Sequence, residues 1–369
     1  MTPEDLRADI PVCERGVYLN TGASGPAPRR VVEATTGFVE HHEYEAPIGE
    51  GAYRVAYETF DEARAAVAAF LGADPDEIAL TQSTADGISR VAASLDWNPG
   101  DVVVRTDLEH AAGVLPWWHL QRQGVETRVL ETEAGRVDLD ALADAVADAR
   151  LLCLNSVTWS HGTELPVAEA VELAHEADCR VLVDAVQSPG QRPIDTHAWD
   201  ADFVAGAAHK WLLGPWGAGF LYVDADRAGD VVPSQVNYRS VVDPGAAEPR
   251  LKSSAGRFEV GTTTPAPAAG LVEALSVIDE VGIGTITGRI ERLTDRLKAG
   301  LDDALLSPRE YESGLVTFRP PDGESPEKAV ERLADDGIVI RSLPYPEALR
   351  ASVHAFNTAG DVDALLDAL

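Results

Sequence analysis

The sequence predicts an α/β protein, with a large domain on a mainly parallel sheet and a smaller α+β domain at the C-terminal end. Three observations carry this. From about residue 77 to 223, short apolar runs alternate with helical patterns, as in a parallel sheet covered on both faces. Within one helical stretch Val167, Ala170, Val171 and Ala174 recur at i, i+3, i+4 and i+7, a single apolar stripe. After about residue 260 the alternation gives way to two long helical patterns and two further strand-like runs.

In chain order the expected sheet strands are Glu77–Thr81, Asp101–Thr106, Glu126–Leu130, Arg150–Asn155, Arg180–Asp184, Asp202–Ala205 and Gly219–Val223. Ala141, Ala145 and Ala149 mark a helix that starts near Asp138. Residues 230–260 lapse into Pro, Gly and Ser, which breaks the pattern. A helix is expected from Pro267 to Val281, an Arg- and Leu-rich one over Ile290–Leu305, strands at Leu315–Arg319 and Ile338–Ser342, and a last helix at Val362–Leu369. The expected domains are 16–250 and 251–369, with residues 1–15 packing near the smaller one. No internal repeat is evident.

Composition excludes several function classes. The chain has 369 residues, 45% of them hydrophobic, enough for a sizeable core. No apolar run approaches the roughly 20 residues a membrane-spanning helix needs. The segment Met1-Thr2-Pro3-Glu4-Asp5-Leu6-Arg7 lacks the apolar stretch of a signal peptide, so a cytoplasmic location is expected. The formal net charge is −31, which repels nucleic acid. Its acidic residues are dispersed, a pattern that resembles protein surfaces from high-salt cytoplasms. Three cysteines, Cys13, Cys153 and Cys179, are an odd number without paired spacing, which argues against disulfides and a zinc site.

The lysine usage is more informative. Only four lysines stand against twenty-six arginines, and the first 251 residues hold one, Lys210, beside His209. A guanidinium stays protonated, whereas a desolvated ammonium can lose its proton and act as a nucleophile. The run Arg180-Val181-Leu182-Val183-Asp184 ends in a carboxylate, and Lys210 follows the next expected strand. Carboxylate and amine at the ends of neighbouring parallel strands share one crevice; an ordinary ion pair is the alternative. A third strand end, Thr81-Gln82-Ser83-Thr84-Ala85-Asp86-Gly87, runs into a helix whose first turn offers amides and hydroxyls to a phosphate. A plain helix cap by Ser83 or Thr84 is the alternative there. Phosphate cradle, carboxylate and lone lysine together fit pyridoxal 5′-phosphate.

The chain resembles the class V aminotransferase family of fold-type I pyridoxal-phosphate enzymes, which includes cysteine desulfurases and isopenicillin N epimerase-like proteins. The strings that carry the resemblance are Tyr18-Leu19-Asn20-Thr21-Gly22-Ala23, Thr106-Asp107-Leu108-Glu109-His110, Leu182-Val183-Asp184-Ala185-Val186-Gln187 and His209-Lys210-Trp211-Leu212-Leu213-Gly214-Pro215. Two more follow, Arg257-Phe258-Glu259-Val260-Gly261-Thr262 and Arg350-Ala351-Ser352-Val353-His354-Ala355-Phe356-Asn357-Thr358. The resemblance implies that Lys210 forms the Schiff base and moves the Cα proton, and that Asp184 partners the pyridine nitrogen. Gln187 is implied at the phenolic oxygen and His110 stacked on the ring. Ser83, Thr84, the Ala85 amide and His209 are implied at the phosphate. Gly261 and Thr262 are implied to reach the neighbouring subunit's phosphate, which makes a homodimer the expected assembly. Arg350 is implied to grip the α-carboxylate of a small amino-acid substrate, with Trp159 and Asn20 also on the substrate side.

The sequence departs from the resemblance at several points. Arg341-Ser342-Leu343-Pro344-Tyr345-Pro346-Glu347-Ala348-Leu349-Arg350 has no cysteine where desulfurases carry theirs. Trp159 stands where desulfurases have an asparagine, which points toward the epimerase-like and lyase branch. Ala85 and Ala207 replace hydroxyl residues, leaving fewer hydrogen bonds, each worth about 0.5–1.5 kcal/mol, to hold a phosphate. The expected chemistry is transamination, C–S bond lysis or epimerisation on a small amino acid. Two alternatives stay open: a cofactor-free Schiff-base lyase, and a non-catalytic homologue that only binds the cofactor.

Overall fold

Seven strands build the central sheet of the computed structural model, which describes all residues from 1 to 369. A short strand β1, Val17–Tyr18, lies outside that sheet. The seven are β2 (Ile78–Thr81), β3 (Val102–Thr106), β4 (Glu126–Leu130), β5 (Leu151–Asn155), β6 (Arg180–Asp184), β7 (Phe203–Ala207) and β8 (Gly219–Val223), in the order β2-β8-β7-β6-β5-β3-β4. From β4 to β7 all pairs are parallel, and β8 runs antiparallel to β7 and β2. The mainly parallel α/β sheet read from the sequence is therefore present, strand for strand. Every residue of β5, β7 and β8 is buried, which is why these strands read as unbroken apolar runs. The chain order reverses around β3, which lies between β4 and β5, so a crevice opens beyond the carboxyl ends of the strands there.

The helix Val167–Glu176 buries Val167, Ala170, Val171 and Ala174, the stripe expected. Asp138 caps the helix Leu139–Val146 through the amides of Asp140 and Ala141. Its buried face differs from the expected alanine stripe: Leu142 and Val146 face the core and Ala141 is exposed. The larger side chains gain more from burial and set the rotation. Two helices the sequence reading passed over, Arg29–Tyr44 and Ala52–Leu71, both pack against the helix Ala266–Val281.

A second sheet, order β11-β12-β9, is antiparallel and comprises β9 (Leu315–Phe318), β11 (Arg341–Pro344) and β12 (Glu347–Ser352). The run expected as one strand over Ile338–Ser342 is divided: β10 (Ile338–Val339) pairs in parallel with β1, and β11 turns back into β12. Strand β12 is absent from the sequence expectation. Its fully buried Arg350 disguises the run as a surface segment. The last helix is Ala359–Ala368, closed at its start by a reciprocal Thr358–Asp361 cap.

Three hydrophobic clusters build the interior, one of them, with Ile88, Val103 and Phe203, on the face of the large sheet covered by the helix Thr84–Ser94. Leu271, Ala274 and Ile278 of the helix Ala266–Val281 join Val204, Phe220 and Tyr222 of the large sheet. Leu293, Leu297, Phe318, Leu349 and Val362 form a separate core. The expected boundary at 250/251 thus precedes a helix that packs with the large sheet. The first fifteen residues touch both bodies: Leu6 and Ile10 enter the larger core, and Arg7 pairs with Asp361 at 2.7 Å. No helix is long and apolar enough to cross a membrane.

Candidate active site

Lys210 projects from the loop after β7, and the loop is fixed on every side. The Gly25 amide donates to the His209 carbonyl at 2.7 Å, the Leu213 amide to the Lys210 carbonyl at 3.1 Å and the Gly214 amide to the Ala208 carbonyl at 2.9 Å. Leu213 takes a left-handed backbone, φ 56°, a strained conformation held by its surroundings. Buried Trp211 donates its indole N–H to Gln187 Oε1 at 2.8 Å, and its ring stacks on His354. The lysine is thus held by backbone and aromatic contacts, leaving its amine for other work.

Asp184 ends β6 next to β7, and both Asp184 and Lys210 line one cavity of about 240 Å³. The shared crevice expected from the strand ends is what the fold builds. Asp184 is buried; one carboxylate oxygen accepts from the Val186 amide at 3.0 Å. Burial raises its pKa, against the pull of that amide and of Lys210. Burial pushes the Lys210 amine down to about 8; Asp184 opposes the shift, and Arg350 and Arg341 add to it. An amine so placed is partly uncharged at neutral pH, the state a nucleophile needs.

His110 stands edge-on to Trp159, with ring centroids 5.5 Å apart. Burial first, then Lys210, Arg341 and Arg350, depress its pKa. The Ala112 amide donates to its Nδ1 at 3.3 Å, so the neutral ring carries its proton on Nε2. His209 is also kept neutral, burial and Lys210 bringing it down to about 4. Gln187 donates one amide hydrogen to the Gly22 carbonyl at 3.1 Å, and its second hydrogen remains for the cavity.

The turn from β2 into the helix Thr84–Ser94 closes another wall. Ser83 caps the helix by accepting from the Asp86 amide at 3.1 Å, so the plain cap reading of Ser83 holds. Thr84 differs: its hydroxyl is buried and has no protein partner. Ser83, Thr84 and Ala85 all line the cavity. A side chain at Gly219 would put its Cβ 2.8 Å from the Ser83 backbone, so the glycine lets β8 lie directly under this turn. Ala207 ends β7 buried and outside the cavity.

Arg350 is wholly buried, and one guanidinium nitrogen donates to the Trp159 carbonyl at 2.7 Å. Its Nε and Nη2 have no partner. Burial, then Arg341, brings its pKa down to about 9. Arg341 also lines the cavity, its guanidinium 6.0 Å from the centre of the Trp159 ring. Sequence reasoning missed Arg341 as a site residue. The signal was a second arginine in the same short strand pair, legible only once the hairpin register is known. Glu109 was missed too. It lies behind the wall, accepting from the Thr106 hydroxyl at 2.8 Å and the Asn155 amide at 3.2 Å. Burial, its leading influence, pushes it up to about 8.

Three expected site residues lie outside this cavity. Asn20 bridges to Ser352, and Gly22 and Ala23 of the same turn line the cavity instead. Gly261 and Thr262 form a turn near a second cavity of about 340 Å³, which Val260, Thr263 and Thr264 line. Asn237 Oδ1 accepts from the Gly261 amide at 3.1 Å, and Tyr238 and Thr262 share a hydroxyl contact of 2.6 Å. A Cβ at Gly261 would meet the Tyr238 ring, which lies directly over the glycine. Thr262 itself has φ 56°.

Nearby Glu259 anchors this segment. It is buried and accepts from Arg64 at 2.9 Å, from the Leu80 amide at 3.1 Å and from Arg239. Burial pushes its pKa up, but Arg64 and Arg239 together hold it below the ordinary value of 4.5. Glu259→Ala is expected to lower unfolding free energy by about 3 kcal/mol, because two guanidiniums lose their buried partner. Denaturant titration checks this. A carboxylate with a depressed folded pKa stabilises above its unfolded value and loses that contribution as pH falls. The gap between parent and variant should therefore narrow in acid.

A probable cysteine desulfurase of Methanothermobacter thermautotrophicus is 33% identical, covering 100% of this chain and 98% of its own. An isopenicillin N epimerase of Streptomyces clavuligerus is 32% identical, covering 99% and 97%. The solved complex of the cystine C–S lyase C-DES with its product cysteine persulfide superposes with a TM-score of 0.91 at 28% identity, covering 97% of this chain and 98% of that one. The family model for class-V aminotransferases matches residues 17–365, and the chain belongs to that family.

Proposed function

We propose that this protein is a pyridoxal-phosphate-dependent enzyme that breaks a bond at Cα of a small amino acid and releases its β-substituent, the chemistry of a carbon–sulfur lyase. The observation that carries the reading is the joint placement of Lys210, Asp184 and the half-unpartnered Arg350 around one cavity. The residues fit the cofactor by their own chemistry. The orphaned Thr84 hydroxyl at a helix start suits a phosphate, the buried Asp184 a pyridine nitrogen, and the Lys210 amine an aldehyde. When bound, pyridoxal phosphate supplies that aldehyde and a ring able to take up an electron pair from the substrate.

The protein's residues do the rest. Arg350 holds the α-carboxylate through its free Nε and Nη2, a bidentate fork. Asp184 keeps a proton on the atom it faces. Lys210 first acts as a nucleophile and then carries the Cα proton. Neutral His110 and half-buried Trp159 line the cavity beside the substrate's place. No cysteine lines the cavity: Cys153 and Cys179 are buried elsewhere, and Cys13 lies near the N-terminus. Sulfur released here leaves with the product, without a protein-bound persulfide.

A homodimer forms part of this reading. Within one chain the Gly261-Thr262 turn lies outside the Lys210 cavity, and Trp216, tilted against His209, is 71% exposed beside that turn's cavity. Both features suit a second copy; a monomer in sedimentation equilibrium contradicts it. For the chemistry, the test is loading of cofactor-free protein followed by product analysis with sulfur-bearing amino acids. Loading should quicken as pH rises through about 8, where Lys210 loses its proton, and slow by about tenfold per pH unit below it. Pyruvate, ammonia and the released sulfur group, as sulfide, thiol or persulfide according to the substrate, are the expected products. A keto acid formed only with an amino acceptor overturns lysis in favour of transamination.

A further inference from the structure

The two ends of a carboxamide have nearly the same shape, and its neighbours decide which one a cavity meets. Gln187 is buried, and both of its inner partners favour the same orientation. Trp211 offers only an indole N–H, which Oε1 accepts at 2.8 Å. The Gly22 carbonyl can only accept, and Nε2 donates to it at 3.1 Å. Turning the amide over would set donor against donor and acceptor against acceptor. The remaining N–H of Gln187 therefore belongs to the Lys210 cavity, which Gln187 lines.

The indole is in turn held from the small domain. His354, four residues beyond Arg350, stacks on the Trp211 ring with centroids 5.9 Å apart and planes 24° apart, and it also stacks on Phe356. Its Nε2 donates to the Trp211 carbonyl at 3.0 Å, while its buried Nδ1 has no partner. The ring is thus neutral in one tautomer, and burial brings its pKa down to about 4. Asn357 Oδ1 accepts from the His354 backbone amide at 2.8 Å, and a Cβ at Gly314 would come 2.6 Å from the indole. A buried histidine with one donated bond and one orphaned nitrogen is a poor choice for packing alone, where phenylalanine would leave nothing unsatisfied.

We infer that Trp211 and His354 are positioning residues for Gln187: they hold its carboxamide with an N–H group toward the cavity, so that the small domain helps decide what the cavity offers an anionic oxygen. The inference rests on the cofactor reading above, in which that oxygen is the phenolic one of pyridoxal phosphate. A donor there stabilises negative charge on the oxygen and so eases loss of a neighbouring proton. A loosened amide gives up that donor, and an inverted one sets Oε1 against the anion. Trp211 directly follows Lys210, so one indole fixes both the amine's loop and the amide's orientation.

The absorbance of pyridoxal-phosphate-loaded enzyme, titrated with pH, reads this hydrogen bond without turnover. The charged groups of the cavity, Asp184, Lys210, Arg341 and Arg350, and its histidines His110 and His209 are the same in every variant. In Trp211→Phe, which keeps an aromatic ring and removes the N–H, the midpoint should rise by about 0.5–1 pH unit. His354→Phe should raise it less, and His354→Gln, which can still donate to the Trp211 carbonyl, less again. The double phenylalanine variant should show no more than the Trp211→Phe shift, because His354 acts through the indole. Turnover number is expected to fall by about threefold to tenfold while KM holds, since Arg350 is untouched.

A second measurement needs no cofactor. In protein isotope-labelled at tryptophan, the Trp211 indole resonance is identified by its loss in Trp211→Phe. Its hydrogen should exchange with solvent at least about tenfold faster in Gln187→Leu and in His354→Phe. Unchanged exchange in both variants, or a parental midpoint in loaded Trp211→Phe, overturns the lock. Should Trp211→Phe fail to fold, His354→Phe carries the titration, and a parental midpoint there overturns it equally. Exchange that these variants quicken, in a protein that takes up no pyridoxal phosphate, refutes the cofactor reading and leaves the lock standing.

Discussion

Lys210→Ala is expected to reduce turnover by about 10³-fold or more, to abolish covalent attachment of pyridoxal phosphate, and to leave the fold intact. Lys210→Arg should do no better, since a guanidinium keeps its proton where the amine, at about 8, gives it up. Borohydride trapping followed by mass spectrometry checks the attachment; activity in either variant contradicts the assignment. The stability arm has a definite sign. A lysine whose folded pKa is lowered opposes folding at pH values where the unfolded chain is protonated. That penalty is present below about 8 and fades as pH rises toward the ordinary 10.5. The cofactor-free alanine variant should therefore melt no lower than the parent at neutral pH, with any advantage shrinking in alkali. A large loss of melting temperature at pH 7 would mean that Lys210 holds the loop together, a task the backbone bonds of His209, Lys210 and Ala208 already perform.

Much of the large sheet was legible because its strands are buried on both faces, so composition alone marks them. Lys210 and Asp184 were legible for a related reason. Each follows such a run, and parallel pairing brings the ends of β6 and β7 together. The small sheet was harder to read. Strand β12 carries a buried arginine, and β10 and β11 run together in sequence while pairing with different partners. Nothing in a local pattern separates them, since the division is made by β1, more than three hundred residues away.

The same limit hid Arg341. Its opposition to Arg350 is a property of register, which a hairpin fixes and a composition count cannot show. Asn20 illustrates the reverse. Its motif was recognised, but position within the fold separates it from the Lys210 cavity. For Asn20 the reason is local, because its turn presents Gly22 to Arg350; a Cβ at Gly22 would lie 3.2 Å from the guanidinium.

Asp184→Asn should be nearly as damaging as loss of the lysine, by about 10²–10⁴-fold in kcat, yet spare cofactor attachment. The amide keeps the shape and can still accept from the Val186 amide, as Asp184 does at 3.0 Å. What it loses is the negative charge that keeps a proton on a ring nitrogen, and with it the electron uptake that bond cleavage requires. Asp184→Glu, which keeps the charge but misplaces it, should lie between the two. Stability separates this role from a structural one. Burial raises the folded pKa of Asp184, so the ionised group opposes folding above that value and the opposition is relieved as pH falls. A carboxamide at this position has no such proton to take up, so unfolding of cofactor-free Asp184→Asn should depend less on pH than that of the parent and show no loss at pH 7. A variant with parental kcat, or one that fails to fold, would place the importance of this carboxylate in the architecture of β6 and remove it from the chemistry.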